Sequence, residues 1–298
     1  MRPVLLSLLL LPATAAAQML RVVPSDREAE HPPWDAAFMQ RNGVSTITGV
    51  PSVKPEGRPM RELPERLLHR FDEEGRLVYS NSTHGRPGSG LDTTSVAWTY
   101  DAAGRAVAQL RTDLAGHYLL ETALDSLGRP VSETYVRVAN TGPDRYRFQP
   151  GERTVISDER YTYRTESDTA WVREYRNNLG LPYREQRHAY DQWGYLRSIE
   201  DHYLVSGRRS RVSFRYDEKG RLAERIVRPD LREARSTMET YRYDPAGNLS
   251  TREVYHDDRH VRHEEYLYEE HTMFLKARLT KDMATGQIHV VRYHTERR

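Results

Sequence analysis

Along most of the chain, apolar and polar residues alternate in short runs that end on an aromatic residue followed by Asp. Val96, Trp98 and Tyr100 form one such series, Val212, Phe214 and Tyr216 a second, and Tyr241 with Tyr243 a weaker third. A period of two bounded by turn residues predicts half-buried antiparallel strands, whereas a helix requires a period near 3.6. The punctuation recurs as Phe71-Asp72-Glu73-Glu74-Gly75, Tyr100-Asp101-Ala102-Ala103-Gly104 and Leu124-Asp125-Ser126-Leu127-Gly128. It returns as Tyr190-Asp191-Gln192-Trp193-Gly194, Tyr216-Asp217-Glu218-Lys219-Gly220 and Tyr243-Asp244-Pro245-Ala246-Gly247. Weaker copies stand at Tyr175 to Gly180, at Tyr268 and at Asp282 to Gly286.

The spacing fits a three-residue hairpin loop, a type I turn whose last position is left-handed and forms a bulge. Asp at its start accepts hydrogen bonds from the backbone ahead of it. Gly supplies the positive φ that a Cβ opposes. The structural turn residues are therefore Asp72 with Gly75, Asp101 with Gly104, Asp125 with Gly128, Asp191 with Gly194, Asp217 with Gly220, and Asp244 with Gly247. Variable polar loops between them, such as residues 81–90, 140–144, 206–209 and 256–259, serve as return turns, because strands joined by short loops run antiparallel. Each repeat is one up-and-down pair of strands.

These aromatic-Asp-x-x-Gly-Arg-Leu units resemble the YD repeats of Rhs-like and teneurin-like proteins over most of residues 66–293. The resemblance implies tandem β-hairpins. It also implies a self-cleaving Asp-Pro-x-Gly-Leu boundary, which Asp244 to Asn248 approaches without the final Leu. The expected fold is all-β: an elongated, twisted antiparallel meander of hairpin repeats over residues 64–298. Residues 18–63 read as an irregular capping segment with a short helix before Gly43 and a strand from Val44, the alternative being a flexible linker.

The N terminus changes the address of the protein. Arg2, an apolar run from Val4 to Leu11 and the small residues Ala15 and Ala17 form the pattern of a secretory signal over residues 1–17. Export to the periplasm, cell surface or medium follows; the alternative is a short hydrophobic helix in a cytosolic protein. The run is too short to span a membrane as a helix. The chain has no Cys, which excludes disulfides and thiolate chemistry. Its 45 basic and 43 acidic residues are interleaved, so no basic face for nucleic acid is expected. Charges such as Arg197, Glu200 and Arg225 interrupt both strand faces and argue against a closed membrane barrel.

Candidate chemistry is sparse. No Gly-x-Ser-x-Gly elbow or phosphate loop occurs, and the acidic residues recur with the repeat, so no catalytic residue, cofactor or metal is assigned. The stretch His256-Asp257-Asp258-Arg259-His260-Val261-Arg262-His263 is rich in metal-capable groups but sits where a return turn is expected. Trp193, inside a turn, and Tyr195 beside it are the candidate partner contacts, for a protein or carbohydrate of the envelope. The expected function is a non-catalytic envelope or extracellular binding scaffold, and the alternative is a secreted hydrolase acting on a glycan.

Overall fold

The structure, a computed structural model, describes residues 18–26, 33–84, 92–143 and 148–298; the expected signal segment and the tip of the 81–90 loop lie outside them. Helix α1 (Ala36–Arg41) leads into β1 (Val44–Lys54) and a two-residue β2 (Arg61–Glu62). The chain then runs through β3 (Leu67–Phe71), β4 (Leu77–His84), β5 (Asp92–Tyr100), β6 (Ala106–Asp113), β7 (Gly116–Leu124), β8 (Pro130–Asn140) and β9 (Pro150–Ser167). It continues through β10 (Ala170–Arg176), β11 (Pro182–Tyr190), β12 (Leu196–Tyr203), β13 (Arg209–Tyr216) and β14 (Leu222–Arg228). The last five strands are β15 (Thr237–Tyr243), β16 (Leu249–His256), β17 (Arg259–Tyr268), β18 (Leu275–Asp282) and β19 (Ile288–Arg297).

From β3 to β19 every strand pairs antiparallel with the next. β1 then joins the two ends. On one side it pairs with β19, from Val44↔Arg297 to Lys54↔Ile288, and on the other with β3, from Thr46↔Arg70 to Gly49↔Leu67. β2 pairs with β1 alone, on the edge that β3 also uses, so the ring is made by 18 of the 19 described strands, with β2 prolonging the β3 position. The fold is a closed antiparallel β-barrel.

This corrects the expected open meander. Each strand carries a right-handed twist, and a sheet of this many twisted strands curls rather than extends. The segment expected to cap an edge instead contributes β1, which satisfies the unpaired backbone groups of both edges at once. Its inward positions fit the join. Ile47 is fully buried, and Gly49 lies where a Cβ would come within 3.0 Å of Leu67 Cβ and 3.1 Å of Val291 Cγ1.

The hairpin ends repeat one set of contacts. Tyr100, Tyr163, Tyr216, Tyr243 and Tyr268 donate their hydroxyls to the carbonyls of Leu77, Pro130, Leu196, Leu222 and Leu249, each on a preceding hairpin, at 2.7–2.9 Å. The turn arginine of the earlier hairpin lies over the later tyrosine ring in three cases: Arg76 over Tyr100 (4.8 Å), Arg129 over Tyr163 (4.4 Å) and Arg221 over Tyr243 (4.3 Å). A tyrosine entering a turn therefore ties neighbouring hairpins together through both its ring and its hydroxyl.

The N-terminal segment identifies the inside of the barrel. Leu20 bridges to Trp34, whose ring meets His69 of β3 at 5.2 Å between centroids. Six residues further on, Asp26 accepts a hydrogen bond from Gln186 Nε2 of β11 at 2.8 Å. Six residues of extended chain reach about 20 Å. The shorter way round the wall, from β3 through β4 and on to β11, crosses eight strand gaps, about 38 Å. The segment takes the shorter path, across the lumen. Beside it, Met19, Phe38, Met39, Val44, Ile47 and Phe71 form a buried core that seats α1 against the wall.

Candidate functional site

With the inside known, the strand registers sort the charged residues. On β11 to β18 the inward series includes Gln186, Asp201, Arg225, Glu239, Arg252, Glu264 and Arg278, linked by pairings such as Gln186↔Asp201, Arg252↔Glu264 and Tyr266↔Arg278. Arg225 holds the crossing segment by its backbone, with Nε 3.1 Å from the Ser25 carbonyl and Nη2 3.3 Å from the Asp26 carbonyl. Glu239 accepts from Tyr241 Oη (2.7 Å), Arg252 Nη2 (2.7 Å) and Arg225 Nη1 (3.2 Å). Burial opposes its charge, but Arg252, Tyr241 and Arg225 prevail and hold its pKa below the usual carboxylate range.

Between the crossing segment and the wall lies a cavity of about 420 Å3. Leu20, Val22 and Trp34 form its inner side, and Tyr241, Tyr266 and Tyr293 are its aromatic wall. Three wall arginines reach it. Arg252 and Arg262 share Glu264, at 3.7 and 3.1 Å, and Glu264 also accepts from Tyr266 Oη at 2.7 Å. Arg278 differs: among the described residues its guanidinium makes no hydrogen bond and no ion pair, and its Nε is buried without a partner. Glu264 acts on it only at longer range. The neighbouring His69 is pushed down to about 4, chiefly by burial and further by the charge of Arg278.

A second lumenal cavity, of about 380 Å3, lies at the other end of the crossing segment. There Trp171 stacks on His188, with ring centroids 3.9 Å apart and planes within 9°. Burial, then Arg173, lowers the His188 pKa to about 4, and its Nε2 lies 2.9 Å from Gln186 Oε1. The ring is neutral, with Nε2–H donating.

The residues singled out from sequence sit elsewhere. Asp72, Asp101, Asp125 and Asp217 each accept, through Oδ1, the backbone N–H of the arginine four residues on and, through Oδ2, its Nε. Asp191 accepts from the amides of Trp193 and Tyr195, and Asp244 from the Asn248 amide and side chain. Gly75, Gly104, Gly128, Gly194, Gly220 and Gly247 all have φ between 75° and 96°. Trp193 is 75% exposed at its turn tip, and Tyr195, 39% exposed, has its ring centroid 4.8 Å from that of Tyr216. His263 sits between Glu253 and Glu265 at 2.8 and 2.9 Å, and His256 meets Thr237 instead. Among the described residues no group of three His, Asp or Glu is arranged to hold a metal.

Sequence reasoning missed Trp34, Tyr266, Arg278 and Tyr293. The available signal was an Arg or Glu in the inward series of a period-two strand, as at Arg225, Glu239, Arg252, Glu264 and Arg278; of these, Arg225 was read as an interruption.

No family model matches the chain, and no curated protein matches it. Among solved structures it is similar to a porin-like protein from Bacteroides uniformis, with 12% identity over 86% of this chain and 97% of that one and a TM-score of 0.38. A porin-like protein from Bacteroides vulgatus gives 8% identity, 85% and 98% coverage and a TM-score of 0.36. A chain of the TcdB2-TccC3-Cdc42 crystal structure gives 14% identity, 73% and 14% coverage and a TM-score of 0.28. Scores this low carry no argument about function.

Two expectations are corrected here. Membership among YD-repeat or Rhs-like proteins is not supported: no family model matches, and the hairpins close into a barrel of 18 strands. The scaffold reading, and with it the glycan-hydrolase alternative, required an open sheet offering a broad face or a curled cleft. Closure removes both and turns the regular aromatic face inward around the crossing segment.

Proposed function

We propose that the protein is a β-barrel of the cell envelope that encloses a small-molecule ligand in a lumen narrowed by its own N-terminal segment. The observation that carries this reading is the walled cavity between that segment and the barrel. Its volume of about 420 Å3 falls within the range of small-molecule pockets, roughly 300–1,000 Å3, and it combines aromatic walls with a few directed polar groups. Export rests on the signal pattern at residues 1–17.

A ring of this strand number is wide enough for an open aqueous channel. Two features favour enclosure over conduction. The crossing segment occupies the lumen, fixed at Ser25 and Asp26. The outward face of β9 to β14 carries ion pairs, including Arg164–Glu185, Arg187–Glu166, Arg211–Glu200 and Arg215–Glu224. A basic residue on a lipid-facing wall costs about 2–4 kcal/mol at the midplane and less towards the interfaces, and a wall with this many charges is built to meet water or protein.

The test is the behaviour of the mature protein with lipid. It should remain monodisperse without detergent, stay with the soluble fraction when liposomes are floated, and give no conductance in planar bilayers. Spontaneous insertion with stepwise conductance would overturn the reading in favour of a pore.

A further inference from the structure

We propose that the cavity between Trp34 and the β15–β19 wall is a site for an organic anion, a carboxylate or similar single acidic group on an aromatic or branched apolar body, with Arg278 as the group that captures its charge. The inference deepens the lumenal-ligand reading and rests on it.

The argument begins with the accounting of charge. Arg252 and Arg262 have acceptors in Glu239 and Glu264, and Arg225 shares Glu239 with Arg252 and donates to two backbone carbonyls, so each of the three finds partners. Those carboxylates are also engaged by Tyr241 and Tyr266. Arg278, on the same inward face of β18, is left with a largely buried guanidinium and no acceptor among the described residues. A buried cation without hydrogen-bond acceptors is costly, and a planar fork of N–H donors fits a carboxylate in bidentate geometry.

The surroundings select the rest of the ligand. Trp34 stands edge-on to Tyr293, with centroids 6.2 Å apart and planes at 85°, so the rings form a corner rather than a closed stack. Leu249 and Leu275 complete an apolar wall. Such a corner accepts a flat or branched hydrocarbon body while the acid reaches Arg278. His69 strengthens the preference. Held neutral at physiological pH by burial and by Arg278, it adds no further cation beside Arg278.

The experiment compares two probes of nearly identical shape, 1-naphthaleneacetate and its neutral amide, by calorimetric titration of the full mature chain, with the ligand-induced rise in melting temperature as an independent readout. The wild-type protein should bind the acid at least about tenfold more tightly than the amide, the scale of one charge-assisted hydrogen-bonded contact. Arg278→Gln should bring the two affinities together, and Arg278→Lys should restore part of the difference, with circular dichroism confirming that both variants fold. Equal affinities in the wild-type protein, or a preference that survives Arg278→Gln, would overturn the anion site while leaving a lumenal site for neutral ligands. Failure of both probes to bind or to raise the melting temperature would overturn the lumenal-ligand reading and the anion site with it. The wild-type comparison decides the matter even if a variant does not fold.

Discussion

Replacing Gly75 by Ala, with Gly194→Ala as its partner experiment, separates the strain of a turn from the seating of the N-terminal helix. The two glycines hold the same position of the same turn, with φ of 77° and 83°. Around Gly194 a Cβ would meet nothing within 4 Å. At Gly75 it would fall on the carbonyl oxygen of Ala36 and lie 2.5 Å from the Gln40 amide nitrogen, both backbone atoms of α1. Gly194→Ala should therefore cost only the strain of a left-handed Ala, about 1 kcal/mol. Gly75→Ala adds the displacement of a helix whose Phe38 and Met39 are 3% and 0% exposed, and overpacking of this kind costs a further 1–3 kcal/mol or so. The expected losses are about 1 and about 2–4 kcal/mol, read by urea denaturation with unchanged slope. Trp34 emission, read with Trp98, Trp171 and Trp193 replaced by Phe, reports the cause, since its ring sits edge-on to Phe71 at 6.1 Å and should move only in the Gly75 variant. Equal losses in the two variants, with Trp34 undisturbed, would refute the packing of α1 on this turn.

Stability should fall in mild acid. His69 and His188 are lowered by burial from 6.5 to about 4, so the unfolded chain takes up their protons first; their contribution is intact above pH 6.5 and is lost towards pH 4, by about 1.4 kcal/mol per pH unit for each. His263 acts in the opposite sense: burial lowers its pKa, but hydrogen bonds to Glu265 and Glu253 raise it more, so its contribution is full below the unfolded value and is lost as pH rises through the folded one. Urea midpoints at about pH 7 and about pH 5 should show the acid loss, reduced in His188→Gln; an unchanged pH dependence in that variant would count against a buried neutral ring. Trp193→Ala should shift the melting temperature little, because a 75% exposed indole makes few contacts to lose, and a drop comparable to that of Gly75→Ala would show that the indole packs on its neighbour.

What was legible in the sequence was what is local. Asp72, Gly75 and Arg76 lie within five residues and make their contacts with one another, so their spacing carries the turn. Closure is not local. Ser45 Oγ donates to the Glu296 carbonyl across 251 residues, and nothing near either position announces the other. The strand expected at Val44 to Thr48 runs on through Pro51, which sits opposite Val291 and whose carbonyl accepts from the Leu63 amide. The lumenal charges were hidden for a related reason. Arg225 and Glu200 both read as breaks in the alternation, yet Arg225 faces the lumen and grips Ser25, while Glu200 faces outward and pairs with Arg211. Only the registers of closed neighbours separate the two.

The interior chemistry follows from the width of the barrel. A ring of 18 strands is too wide for aliphatic side chains from opposite walls to meet, so a filled lumen requires long side chains that can satisfy one another or an inserted segment. This chain uses both. Glu159, Glu239 and Glu264 each accept the hydroxyl of the tyrosine two residues on, Tyr161, Tyr241 and Tyr266, which places the acid and its donor side by side on one inward strand face. Arg252 then joins Glu239 of β15 to Glu264 of β17 across its own strand β16. Removing one member of such a buried set strands the others, at a cost of about 3–5 kcal/mol, so the network favours complete pairing. Against that background Arg278 stands out: the strands around it supply tyrosines where Arg252 and Arg262 have carboxylates, and the unfilled acceptor position opens into the cavity.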